Sequence, residues 1–146
     1  MSNMENSLKI YQWEIAAIRN GIKSVLIYPQ QQLQASIDSL PTKDSTVTLC
    51  NYDGLFKFDA TIVSAPKIIT LHDLTEQDAI DFGVAELYPA SDFGGTGGFY
   101  LPEKILEVSA KECFEHYWQN NPVLQKYPLE SNPVIIIFEF EISNQQ

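Results

Sequence analysis

The sequence predicts an α+β protein, a small mixed β-barrel flanked by helices, and three observations carry that prediction. Two stretches of alternating polarity, 46–52 and 55–64, meet at Asp53 and Gly54, the dipeptide best suited to a two-residue hairpin turn. The run Val134–Ile142 is apolar on both faces at its centre, which is the composition of a central strand. Between these in importance lies the segment 17–29, A-I-R-N-G-I-K-S-V-L-I-Y-P, where a helix breaks at Asn20 and Gly21 and a strand begins at once. Gly takes the left-handed conformation past a helix end without a Cβ clash, and Asn tolerates it next best.

Taken in order, Leu8, Tyr11, Ile15, Ile18 and Ile22 recur at helical spacing and predict one apolar helix face, although 8–11 fits a short strand equally well. Residues 24–28 are β-branched and aromatic enough for a strand that Pro29 ends, and the Gln-rich segment 30–43 reads as a loop with at most a helical turn. After the hairpin, 67–71 reads as a further strand. A short helix then starts at Thr75 as N-cap, carries Glu76 and Asp78 in its first turn and stops at Gly83. Pro102 suits the first turn of a long helix reaching Gln119, with Leu106, Ala110, Cys113, Phe114 and Tyr117 on one face and Asn120, Asn121 and Pro122 ending it. In the final strand Val134, Ile136, Phe138 and Phe140 are expected to alternate inward.

The chain has 146 residues, the size of one domain, expected to span 1–146 with a core from about 8 to 142. Nine Lys and Arg against nineteen Asp and Glu give a net charge of -10, with the cations scattered singly. Gripping a phosphate backbone requires a basic stripe whose counterion exchange supplies affinity, so duplex DNA is excluded as a partner. No apolar run is long enough for a membrane span and the N-terminus lacks a secretory pattern, which makes the cytoplasm the expected compartment and Cys50 and Cys113 reduced core thiols.

Several features that suggest chemistry have plainer readings. The segment 92–98, D-F-G-G-T-G-G, lacks the Gly-Lys-Ser/Thr ending of a phosphate loop. Cys113 and His116 share a helix face, as a nucleophile and base do, yet their neighbours are apolar and a core Cys is expected. His72 lies far from them in sequence, so no metal-site spacing exists and neither metal nor cofactor is expected. Trp13, Trp118 and Tyr28 are candidate stacking faces for a base if exposed, but both Trp are expected in the core or at its boundary.

Three segments resemble the ASCH domain of the PUA-like superfamily, especially its short versions in bacteriophages and prophages. A-I-R-N-G-I-K-S at 17–24 is similar to the motif A-I-x-x-G-x-K-T, with Ser24 in place of Thr. L-H-D-L-T-E-Q-D-A-I-D-F-G-V at 71–84 is similar to the segment dI-T-E-E-D-A-x-x-E-G, and Trp118 followed by N-P-V-I-I-I-F-E-F at 132–140 to the closing W … N-P-W-V-W-V-I-E-F. The resemblance implies a five- or six-stranded barrel with a cleft beside the first helix, which relatives use to hold RNA or a modified nucleobase. Where that motif continues with Thr, Gln, Thr and two Arg, this chain has Ser24, Val25, Leu26, Ile27 and Tyr28, so the basic pair is absent and Arg19 is the nearest replacement.

Small amidohydrolases of this type use a Lys, a Thr three residues later and a Glu of the short helix. Lys23 fits the first role, Leu26 stands at the second, and Phe82 near the third with Asp78 and Asp81 close by. The leading expectation is a binding module for a nucleobase, nucleotide or short single-stranded RNA, contacted by Lys23, Ser24, Tyr28, Arg19 and Asp78, with Lys23 at the cleft edge and equally consistent with a solvent-facing position. The alternatives are an acidic phage-type interaction protein that binds a host protein, and a residual amidohydrolase acting on an acylated nucleoside.

Overall fold

The computed structural model describes residues 7–33, 40–88, 99–100 and 107–142. Its strands are β1 (Ser7–Ile10), β2 (Val25–Pro29), β3 (Thr46–Asn51), β4 (Lys57–Ile62), β5 (Lys67–Thr70), β6 (Phe99–Tyr100), β7 (Glu107–Val108) and β8 (Val134–Ile142). Its α-helices are α1 (Gln12–Arg19), α2 (Gln30–Leu33), α3 (Glu76–Phe82), α4 (Val84–Leu87) and α5 (Ala110–Asn120). Six strands form one mixed sheet in the order β1-β3-β4-β8-β2, with β5 beside β8. The β1–β3 pairing is parallel and the others are antiparallel. The sheet curls into a half-barrel, as the α+β reading expects, and residues 8–11 take the strand alternative.

The long strand β8 is the axis of this architecture because it pairs with β2 along one side and with β5 and then β4 along the other. Both its faces are buried. Ile136, Phe138 and Phe140 point into the half-barrel with Leu26, Leu49 and Ile62, while Ile135 and Ile137 pack under the helices with Phe82, Phe114 and Trp118. The expected inward row is therefore correct except at its start: Val134 is 37% exposed. It lies at the sheet rim opposite Thr70, beyond the reach of either core.

Local chemistry explains two further departures. The β3–β4 connection is wider than a two-residue turn, because Asn51 Oδ1 accepts from the Phe56 amide at 3.1 Å and Asp53 Oδ1 from the Leu55 amide at 2.9 Å. These side-chain acceptors hold a longer loop in which Gly54, at φ 78°, supplies the left-handed residue. The long helix starts at Ala110, not at Pro102, since β7 precedes it and Ser109 is its N-cap, accepting from the Glu112 amide. The Glu76 carboxylate of α3 accepts from the Ala110 and Lys111 amides at 2.7 and 3.0 Å, satisfying donors that no intrahelical carbonyl reaches. Pro102, Leu106 and the Gly-rich segment 92–98 lie outside the described residues. No helix of the described residues is long and apolar enough to cross a membrane.

The short helix matches its expectation in full. Thr75 and Asp78 form a capping box, and Gly83 at φ 95° ends the helix. A Cβ at Gly83 would also lie 3.1 Å from the Lys23 Cβ and 3.3 Å from the Ala17 Cβ. The end of α3 thus presses directly on the α1–β2 junction.

Candidate functional site

That junction determines where Lys23 goes. Gly21, at φ 76°, reverses the chain after α1, the Ile22 amide donates to the Ala17 carbonyl, and the Ser24 amide donates to the Asp81 carbonyl at 2.8 Å. Lys23 is thereby turned inward, between α1 and the end of α3. Its side chain is 0% exposed, which corrects both the solvent-facing and the cleft-edge expectations. Nζ donates to the Phe82 carbonyl at 3.0 Å, lies 3.2 Å from Glu14 Oε2 and sits 3.6 Å from the centroid of the Phe82 ring. Phe82, near which the resemblance expects a carboxylate, offers Lys23 its carbonyl and ring, and Glu14 of α1 is the counter-ion.

Desolvation lowers the Lys23 pKa from 10.5 to about 8, and the neighbouring Glu14 offsets only part of that cost. Because the folded value lies below the unfolded one, the penalty of burying the ammonium is complete below pH 8 and is relieved as pH rises toward 10.5. Lys23 should therefore make stability increase between pH 8 and 9, by up to about 1.4 kcal/mol per unit. Above that window the sign reverses, because burial raises the Cys113 thiol from 9.0 to about 12 and also raises the phenols of Tyr28 and Tyr117. The unfolded chain loses those protons first. Denaturant titrations from pH 7 to 11 should show this rise and fall, and a monotonic decline from pH 7 would contradict it.

The other expected site residues are dispersed. Ser24 is exposed, and its carbonyl accepts from the Phe140 amide. Arg19 is exposed with its guanidinium 5.6 Å from the Phe56 ring centroid. Asp78 is a structural carboxylate that accepts from Lys67 Nζ at 3.0 and 3.1 Å and from the Thr75 amide at 3.1 Å. The Cys113 and His116 pair and the two Trp are engaged in contacts within the fold. The Cys113 thiol is buried, His116 Nδ1 lies 3.0 Å from the Tyr88 hydroxyl, and Trp118 donates from Nε1 to the Tyr127 carbonyl. Trp13 packs edge-on against Phe82 and Tyr117. Among the described residues no group of His, Cys, Asp and Glu could hold a metal ion.

Of the expected residues, Tyr28 leads to the cavity. It is buried in β2, and its hydroxyl donates to the Lys9 carbonyl of β1 at 2.7 Å, bridging the two ends of the curled sheet. At this seam lies a cavity of about 20 Å³ lined by Lys9, Tyr11, Glu14, Tyr28, Gln32, Tyr52 and Tyr117 above an apolar floor that includes Ile27, Phe82 and Trp118. Its mouth is formed by Tyr11 and Tyr52, whose rings lie 4.8 Å apart and tilted by 32°. The Tyr52 hydroxyl hydrogen-bonds with Tyr11 and Gln32, and desolvation raises its pKa. Most of the walls belong to the core, whereas Tyr52, on the hairpin loop, is 45% exposed.

Sequence reading missed Glu14, Tyr11, Gln32 and Tyr52. The signal for Glu14 was present. A Lys at a helix-to-strand junction facing Phe82 needs another carboxylate, and Glu14 is the acidic residue of α1. Tyr52 gave no such signal, since the hairpin pattern accounts for it fully.

No family model and no curated protein matches the sequence. In structure, the chain is similar to an ASCH domain from Lactobacillus crispatus JV V101, with a TM-score of 0.55 and 11% identity over 94% of this chain and 79% of that one. It is also similar to protein EF3133 from Enterococcus faecalis V583, of the DUF984 family model, with a TM-score of 0.50 and 9% identity over 86% of this chain. The chain spans 63% of the length of EF3133. The fold is therefore ASCH-like, a curled mixed sheet with flanking helices.

Proposed function

We propose that the protein is a small binding module that holds a nucleobase, as a free nucleoside, a nucleotide or part of a short single-stranded RNA, at the seam cavity beside α1. The observation that carries this reading is the convergence of Lys9, Tyr11, Gln32, Tyr52 and the Glu14 carboxylate on one cavity whose remaining walls are apolar and aromatic. Such a combination is what a planar, edge-polar ligand requires. A cavity of about 20 Å³ has room for a single water, so the ring stacks at the mouth on the half-exposed Tyr52 and directs its polar edge inward. Lys23 acts here as a positioning residue that fixes the Glu14 carboxylate.

Calorimetric titration of nucleosides and nucleotides tests this reading. Binding should weaken about ten- to a hundredfold in Tyr52→Ala, the scale of one lost base–aromatic stack. A panel that produces no heat with the wild-type protein would contradict it.

A second reading, an acidic interaction protein of the phage type that binds a host protein, draws on the hairpin loop, where Leu55 is 82% exposed beside the exposed Phe56. Its signature is the reverse: Leu55→Asp abolishes partner capture and no nucleoside binds. The amidohydrolase reading gains nothing from the geometry, since Leu26 and Phe82 are buried apolar residues and the Lys23 amine is enclosed.

A further inference from the structure

A second and far larger hollow adjoins α2. It is a cleft of about 400 Å³, lined by Pro29, Gln30 and Gln31 where β2 passes into α2 and by residues of the segment 126–134. That volume is the size of a small-molecule site. Local chemistry fixes its shape. Pro29, Pro128 and Pro133 restrict their own φ angles and bring no amide donor to the lining. The Ser131 hydroxyl donates to the Pro128 carbonyl at 2.7 Å, the Asn132 amide to the Leu129 carbonyl at 2.9 Å and the His72 amide to Asn132 Oδ1 at 2.8 Å, so the loop before β8 is tied to the body of the fold. A cleft held in this way needs little ordering when a ligand enters.

Of the described residues that line the cleft, Lys126 alone is charged, and among the described residues its ammonium has neither a hydrogen bond nor an ion pair. Glu130 belongs to the same loop but not to the lining. The backbone carbonyls that would repel an anion are engaged: that of Tyr127 accepts from Trp118 Nε1 at 2.8 Å, that of Pro133 from the Leu71 amide at 2.9 Å, and that of Pro128 from both the amide and the hydroxyl of Ser131. In a chain of net charge -10, an unpaired cation beside apolar walls is where an anion is least opposed. Those walls are the three prolines, the half-buried Tyr127 and Val134, the exposed first residue of an otherwise buried strand.

We infer that this cleft is a second binding site, separate from the seam, for a small organic anion: an aromatic or heteroaromatic body that carries one phosphate or carboxylate group. Lys126 takes the anionic group, Tyr127, the prolines and Val134 cover the body, and the Gln30 and Gln31 amides, which both donate and accept, meet polar groups on its edge. A bare ion would leave the apolar walls uncovered. The inference goes beyond the base-binding reading and does not depend on it.

The test is an NMR titration of the isotope-labelled protein with two pairs of probes, adenosine monophosphate against adenosine and naphthalene carboxylate against naphthalene carboxamide, with inorganic phosphate as a fifth. In at least one pair the anion should shift the side-chain amide signals of Gln30 and Gln31 and the backbone amides of Tyr127 and Ser131, binding about fivefold or more tightly than its neutral counterpart, the scale of one partly exposed charge pair. The pair that shows the advantage identifies the anionic group. Lys126→Met should erase the advantage and Lys126→Arg should keep it, whereas Tyr52→Ala, which disables the mouth of the seam, should leave it unchanged. No advantage in either pair, or one that survives Lys126→Met, would overturn the inference. Inorganic phosphate binding as tightly as the organic anions would reduce the site to a surface cation and overturn it as well. Shifts confined to Tyr11, Gln32 and Tyr52 would overturn this inference while supporting base binding at the seam.

Discussion

Replacing Lys23 with Ala is expected to destabilise the protein by about 3 to 5 kcal/mol, the usual cost of removing one partner from a buried ion pair. The side chain is fully enclosed, so the substitution strands the Glu14 carboxylate, leaves the Phe82 carbonyl without its donor and opens a void beside the Phe82 ring. For a chain of this length such a loss lowers the melting temperature by on the order of 10 °C. The double variant Glu14→Leu/Lys23→Met should recover most of the stability, because exchanging a whole buried pair for apolar residues avoids the desolvation cost on both sides. If Lys23→Ala melted within a degree of the wild type, the side chain would have to lie in solvent.

Trp118→Ala should cost a similar amount, about 3 to 5 kcal/mol, for a different reason. The indole is 1% exposed and packs against Phe114 at a centroid distance of 5.8 Å, and its Nε1 donates to the Tyr127 carbonyl at 2.8 Å. Removing it leaves a large cavity between α5 and β8 and also releases the chain segment after α5. Trp118→Phe retains most of the volume but not the donor, so it should lose about 1 to 2 kcal/mol. Chemical denaturation of the three proteins separates these contributions. A loss below 1 kcal/mol for the Ala variant would place Trp118 outside the core.

These two residues also mark what the sequence could reveal. Trp118 is a large apolar residue for which the core or its boundary is the expected place, and the structure buries it. The same holds for β8, where an apolar run with no polar face announced a strand covered on both sides, and for Thr75 and Gly83, whose capping chemistry is local. Lys23 was legible as a residue fixed by the Gly21 break, but its direction was not. Which way it points depends on α3 pressing on the junction through Gly83 and on Glu14 lying within reach, and both are tertiary facts.

The seam cavity was hidden for a related reason. Its walls come from β1, α1, β2, α2, α3, α5 and the β3–β4 loop, elements far apart in sequence that the curled sheet, with its Tyr28–Lys9 bond, brings together. The sequence points to an earlier start for α5 because Ser109 is an inconspicuous N-cap, and the acceptor that completes the cap, Glu76, is distant in sequence.

The most direct test of the account is the titration of Lys23 itself, followed through the ε-methylene carbon resonance of this side chain by NMR in the folded protein. An ammonium enclosed between Glu14 and the Phe82 ring should titrate at about 8. A midpoint near 10.5 would mean a solvated side chain, and would contradict both the inward turn of Lys23 and the assignment of ligand recognition to Glu14 and the Tyr11–Tyr52 mouth.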